Sequence, residues 1–291
     1  MREIAPHVFI EDRYPGAVLG LLRLPLGTVL IDSPPCPDAA RAWRTTLRAF
    51  NGRGPDRVLV YLDYQADHCL GARSLSHIIV AHTYVGEMFQ PRTNLFRGQT
   101  AGQGEDWERC SQSQGMRWVP PNLLFEQAVS FFWDEEPVTL THHPGPTPGS
   151  IWAHWAGSRV VFVGDAVVHG EPPFLADADL TAWRAALDHL RQAYKGWTLV
   201  GSRDGVLPWE AVQTFAAWLE VLEADLRAAA AARQEPEEVA QALTAKWLPR
   251  WPTEDPIRAR LFQQRLQHGL RRLYERAFYR PRRRRKPKKD A

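Results

Sequence analysis

The chain has 291 residues, 44% of them hydrophobic and 24% charged, a balance that excludes a disordered or fibrous protein and leaves one large or two smaller globular domains. Its longest apolar runs fall well short of the ~18 residues of a membrane span, and Met1-Arg2-Glu3-Ile4-Ala5-Pro6 carries no signal-peptide core. The net charge of +3 hides an asymmetry: eight Lys/Arg and one Asp in residues 279–291 make that tail +7, which leaves the body at −4.

In chain order, Val8-Phe9-Ile10-Glu11 reads as a short strand, 17–24 as a second, and 28–32 as a third after the turn at 25–27. Asp38 can cap a helix over 39–50, whose apolar face holds Ala40, Trp43, Leu47 and Phe50 at helical spacing. Val58-Leu59-Val60 reads as a buried strand leading into Tyr61-Leu62-Asp63-Tyr64-Gln65-Ala66-Asp67-His68-Cys69-Leu70-Gly71, with 72–76 able to continue as a helix. Ile78-Ile79-Val80-Ala81-His82 is the next apolar strand, and this alternation of strand and helix argues for α/β layering. Residues 84–113 are polar, contain several glycines and are long for an unstructured connection, so a helical insert or lid over the site is expected.

Further on, 124–132 and 138–142 read as hairpin-like segments, followed by strands at 151–155 and 160–165, a helix at 180–194 and a strand at 198–201. The character changes past Ser202. An amphipathic helix is expected over 208–232, with Val212, Phe215, Leu219 and Leu222 on one face, then a short helix at 236–248 and a last one at 255–278. Three cysteines (Cys36, Cys69, Cys110) are too few for a disulfide framework, so a reducing cytoplasm is the expected compartment.

The polar side chains at the end of the 58–60 strand stand where α/β proteins commonly place their chemistry. Their spacing, Asp63-x-Gln65-x-Asp67-His68-x-x-Gly71, resembles the His-x-His-x-Asp-His-x-x-Gly signature of the metallo-β-lactamase fold superfamily, with both leading histidines replaced. Four further segments resemble that family in the right order: Ile31-Asp32-Ser33, His143-Pro144-Gly145-Pro146-Thr147-Pro148-Gly149-Ser150, Val163-Gly164-Asp165, and Gly201-Ser202-Arg203-Asp204-Gly205. The run from Gly164 to Gly170 is similar to that of glyoxalase II-like and SoxH-like members.

The resemblance implies a four-layer αββα sandwich over 1–207, a helical C-terminal extension over 208–278 and a basic tail over 279–291. It also implies where metals would sit. The first-site positions are Asp63, Gln65 and Pro146; proline has no donor atom and an amide oxygen is a poor zinc ligand. At the second site Asp67, His68 and Asp165 remain, Ser202 replaces the last ligand, and a small register shift could bring in Asp204. Two carboxylates and an imidazole can hold one divalent ion, Zn, Mn or Fe; equally, Asp67 and His68 can serve as turn-capping groups with no metal at all. His142 and His143 read as packed or solvated histidines, His154 as structural, and His169 as a residue that could line the pocket.

Two functions follow as expectations. One is a pseudoenzyme or scaffold that binds one metal or none, its pocket holding a small-molecule ligand or nothing. The other is a mononuclear hydrolase of an ester, thioester or lactone-type substrate, in which Asp67 and Asp63 take the catalytic roles, Asp63 as general base. The tail can attract nucleic acid or dock on an acidic neighbouring subunit in a homo-oligomer; its charges carry no interleaved aromatics, and no membrane partner is expected.

Overall fold

The computed structural model describes residues 1–51, 57–75, 78–92, 95–111 and 113–280. Two mixed sheets stack face to face. The first runs in chain order, β1 (Arg2–Ala5), β2 (Val8–Glu11), β3 (Leu19–Leu24), β4 (Gly27–Ile31), β5 (Arg57–Val60), β6 (Ile78–His82) and β7 (Leu123–Phe125). Its first four strands pair antiparallel, whereas β4 through β7 are parallel because helical or looped crossovers separate them. The second sheet contains β8 (Ala128–Phe131), β9 (Val138–His142), β10 (Ile151–Trp155), β11 (Val160–Gly164), β12 (Thr198–Gly201) and β13 (Gly205–Leu207), ordered β13-β12-β11-β10-β9-β8.

Three apolar clusters give the layering its physical content. Val8, Ile10, Val29, Val60, Leu140, Ala153 and Phe162 fill the space between the sheets. On the outer face of the first sheet, Leu21, Leu30 and Leu59 pack with Trp43 and Leu47 of α1 (Pro37–Asn51). On the outer face of the second, Trp152 and Val161 pack with Trp183 and Leu187 of α4 (Leu180–Ala193). Between these, the short helices α2 (Ala66–Cys69) and α3 (Thr83–Phe89) follow β5 and β6. The expected αββα sandwich is therefore the observed one.

The C-terminal extension is α5 (Trp209–Ala231), α6 (Pro236–Trp247) and α7 (Pro256–Ala277). Phe215, Leu219, Leu222, Leu266 and Leu270 join the same cluster as Trp152 and Trp183, so these helices share a core with the second sheet. Asp255 caps α7 by accepting the N–H groups of Ile257 and Arg258. Among the described residues, no helix is long and apolar enough to cross a membrane. The tail expectations for 281–291 lie outside the described residues.

Several boundaries differ from expectation. The segment over 124–132 is two strands, not one: β7 closes the first sheet and β8 edges the second, a switch that alternation alone cannot reveal. The 72–76 helix is a single 310 turn, Ala72–Ser74. Among the described residues of the 84–113 insert, regular structure is confined to α3 and a 310 turn at Asp106–Arg109, apart from a single bridge between Leu95 and Arg117. Aromatic contacts hold it instead, with Phe96 edge-on to both Trp107 and Trp118. The cysteine reading is corrected: Cys36, in the loop before α1, and Cys110, in the insert, form a disulfide across 74 residues, their Cα atoms 5.4 Å apart. Nothing in the sequence shows that these two loops meet, and the cysteine count therefore carries no argument for a reducing compartment. Cys69 is free and buried, facing the core.

Candidate functional site

The site forms where β4, β5, β11 and β12 end, because parallel strands deliver their C-terminal loops to one edge. After β5 the chain must turn sharply, and Asp63 makes the turn: its Oδ1 accepts the Gln65 N–H at 2.9 Å. The following helix is close-packed at its exit. A Cβ on Gly71 would lie 2.2 Å from the Pro34 carbonyl oxygen, so only glycine fits there. At the end of β4, Asp32 is held at φ 55°, a conformation few non-glycine residues adopt. Its carboxylate accepts the Leu62 N–H at 2.9 Å and the Ser202 hydroxyl at 3.3 Å.

The geometry brings together Asp63, His68 and Asp165, each offering a ligand atom within 4.8 Å of the others. His68 Nδ1 is 2.9 Å from Asp63 Oδ1, and its Nε2 is buried without a hydrogen-bond partner, 4.0 Å from Asp165. Burial pushes the imidazole toward neutrality, but the charges of Asp63 and Asp32, with Asp165 behind, outweigh it and raise His68 to about 10. Burial likewise pushes Asp63 up, yet His68 and the Gln65 N–H hold it below the ordinary carboxylate range. Asp32 is raised to about 7 by burial.

Asp67 is turned away from this group. Its two oxygens accept the N–H groups of Asp106 and Trp107 at 3.0 and 2.9 Å, which binds the insert to α2. Asp204 is elsewhere: its carboxylate accepts the His169 and Gly170 N–H groups at 2.9 and 2.7 Å. His142 stacks on His82, and His143 on Trp152, with ring centroids 3.8 and 3.7 Å apart. Pro146 is buried in the loop after β9.

The residue that sequence reasoning passed over is Arg203. It sits in the β12–β13 loop, one position past Ser202, and its side chain is only 1% exposed. Its Nε donates to both oxygens of Asp165 at 3.1 and 3.2 Å. Nη1 faces Asp67, Glu171 and Asp106 at 3.3, 3.2 and 3.4 Å, and Nη2 donates to Gln65 Oε1 at 2.9 Å. Burial opposes the charge, but Asp165 and Glu171, with Asp67 and Asp106, hold the guanidinium well above its usual range. The Gln65 amide is intelligible in this setting: a neutral oxygen accepts from a guanidinium that an imidazolium would repel.

A second buried arginine, Arg265 of α7, extends the network. It reaches Glu171 at 2.7 Å, Asp106 at 3.0 Å and the Gly104 carbonyl at 2.9 Å. Both guanidiniums lie against the Phe174 ring, 4.7 and 4.3 Å from its centroid. A Cβ on Gly104 would meet the α7 backbone at 2.3 Å, so the insert and α7 touch there without side chains between them. Burial pushes Asp67 up to about 6 against the pull of Arg203, while the arginines overcome burial at Glu171 and bring it to about 2.

These contacts decide how the residues suit a divalent ion. Both oxygens of Asp165 and one of Asp67 already face a fixed positive charge, and Asp63 Oδ1 is committed to His68 and Gln65. A dication beside Asp165 would face Arg203 at close range and need a deprotonated His68. As built, the cage is complementary to a guanidinium, and His68 Nε2 is left without a hydrogen-bond partner.

Residues 19–194 match the family model of the metallo-beta-lactamase superfamily, more than half of the chain, and the chain belongs to that superfamily. Among solved structures it is similar to the inverting sec-alkylsulfatase Pisa1 from Pseudomonas sp., with a TM-score of 0.67 at 17% identity over 94% of this chain and 49% of that one. This chain thus spans about half the length of that enzyme, and the likeness must extend past Leu207 into the C-terminal helices. It is also similar to a metallo-beta-lactamase from Pontibacter korlensis, with a TM-score of 0.56 at 18% identity over 75% of this chain and 97% of that one. For the protein TMB-1 the values are 0.58, 12%, 76% and 97%. No curated protein matches the chain in sequence.

Proposed function

We propose that this protein is a metal-independent member of its superfamily, in which the Arg203 guanidinium supplies the positive charge that holds the carboxylates together. The observation that carries the reading is Arg203 itself, buried and in reach of Asp165, Asp67, Glu171, Asp106 and Gln65 at once. A guanidinium is a fixed charge with no exchangeable coordination position. It cannot present a bound water as a nucleophile, which is what a catalytic ion would do. The consequence is a pseudoenzyme with weak or absent hydrolase activity. Its sandwich and C-terminal helices act as a scaffold or binding surface, and the basic tail provides contacts to nucleic acid or to another subunit.

A second reading has one observation in its favour, the unpartnered His68 Nε2 facing Asp165. If Arg203 swung out, Asp63, His68 and Asp165 could hold one divalent ion for hydrolysis of an ester, thioester or lactone-type bond. Elemental analysis of protein purified without added metal separates the two. The first reading expects substoichiometric Zn, Mn and Fe and no metal-stimulated esterase or lactonase activity. Stoichiometric metal lost in His68→Ala would establish the second.

A further inference from the structure

The Cys36–Cys110 disulfide lies at the surface end of a chain of contacts that leads into the buried charge network. Both cysteines are only half buried. They line an open pocket of about 430 Å3 together with Tyr14, Asp38, Arg109 and Ser111, a space sufficient for a small thiol reagent to approach the sulfurs. Cys69, by contrast, is fully buried against the Asp63 carbonyl. Neither the superfamily assignment nor the proposed loss of metal chemistry gives this bridge a role.

Its position does. One residue before Cys110, Arg109 pairs with Asp255, the cap of α7, at 3.1 Å. Four residues before, Asp106 accepts from Arg265 and faces Arg203, and the Asp106 and Trp107 N–H groups hold Asp67. The 310 turn Asp106–Arg109 is therefore the piece of chain that covers Asp67 and Arg203, and the disulfide fastens its downstream end to the loop before α1. The upstream end is anchored separately, through Phe96 and Trp107 in the aromatic cluster.

We propose that Cys36–Cys110 is a thiol-exchange site whose reduction loosens the Asp106–Arg109 turn over the Arg203 network. A thiolate of a dithiol reductant attacks one sulfur, the Cys36–Cys110 bond breaks, and a mixed disulfide forms. The reductant's second thiolate then displaces the remaining cysteine. The protein gains two electrons and two protons as two thiols, and the reductant leaves as its own disulfide. Reduction releases one end of the turn and leaves the aromatic anchor in place, so the effect is local opening, not loss of the fold.

The test uses the full chain purified without reductant, with dithiothreitol as the probe. Alkylation with iodoacetamide followed by peptide mass spectrometry is expected to label Cys36 and Cys110 only after native-state dithiothreitol treatment, with Cys69 unlabelled throughout. Amide hydrogen exchange at 106–111 should then accelerate by roughly tenfold or more, while α5 stays protected over the same labelling times. The Cys36→Ser/Cys110→Ser double variant should give the same hydrogen-exchange pattern without reductant. Free thiols at both positions before treatment, a bridge that resists reduction until denaturant is added, or unchanged exchange at 106–111 would each overturn the proposal. The metal content of the protein bears on none of these readouts, so this inference and the metal-free reading fail separately.

Discussion

Replacing Arg203 with alanine removes the charge on which Asp165, Asp67, Glu171 and Asp106 converge. All four carboxylates are at most 6% exposed, so the loss leaves buried negative charge with no water to screen it. Breaking a buried ion pair from one side costs about 3–5 kcal/mol. Arg265 still neutralises Glu171 and Asp106, which holds the expected loss to that range. Its pH dependence has a definite sign. Asp67 already sits near 6 with Arg203 present, and without it the folded state binds a proton more readily still. A carboxyl raised above its unfolded value destabilises the fold as pH rises through the folded value, so the deficit of the variant grows as pH rises above about 6. The vacated cage also becomes suited to a dication: a ligand at 100 times its Kd restores about 2.7 kcal/mol. Urea denaturation followed by the fluorescence of the 12 tryptophans measures all of this. Arg203→Ala should be destabilised and then restabilised by Zn or Mn, with wild type indifferent to both ions. An Arg203→Ala variant as stable as wild type, or a wild type stabilised by metal, would refute it.

Removing the disulfide through Cys36→Ser/Cys110→Ser opens a loop of 74 residues, for which chain entropy gives a loss of about 4 kcal/mol, read from the urea midpoint under non-reducing conditions. Arg265→Ala should cost about 3–5 kcal/mol by the same buried-charge argument, and should speed exchange at 104–107 as well as in α7, because Arg265 joins both. Burial, with His189 nearby, depresses His143 to about 3, and burial also lowers His82 and His154. These groups are neutral when folded and charge on unfolding, so their contribution is present above pH ~6.5 and is lost as pH falls toward 3. Thermal melts across that window should show a falling Tm, and His143→Phe should flatten the decline.

Much of the fold was legible because its signals are local. Short apolar runs at 8–11 and 151–155, helical spacing at Trp43 and Leu47, and the strand-end polar runs all depend on neighbours a few residues apart. What was missed depends on distant contacts. The switch of sheets between β7 and β8 takes place within two residues, Glu126 and Gln127, and the bridge from Cys36 to Cys110 joins loops on either side of two strands. At the site, His68 and Asp165 come together with Asp63 in place of the expected Asp67, whereas Asp67 and Asp204 point to backbone N–H groups that no motif identifies. Arg203 had a signal available. A chain that keeps acidic residues at Asp67 and Asp165 while replacing imidazoles with Asp63, Gln65 and Pro146 must neutralise them by other means. An arginine beside the last replaced position is the cation to look for.

A crystal structure of wild-type protein grown with Zn, with anomalous data collected at the zinc edge, decides whether a guanidinium holds the cage in place of a metal. Planar guanidinium density between Asp165 and Gln65 is expected, with no anomalous peak beside His68 Nε2. An anomalous peak coordinated by His68 and Asp165, with Arg203 displaced, would contradict it.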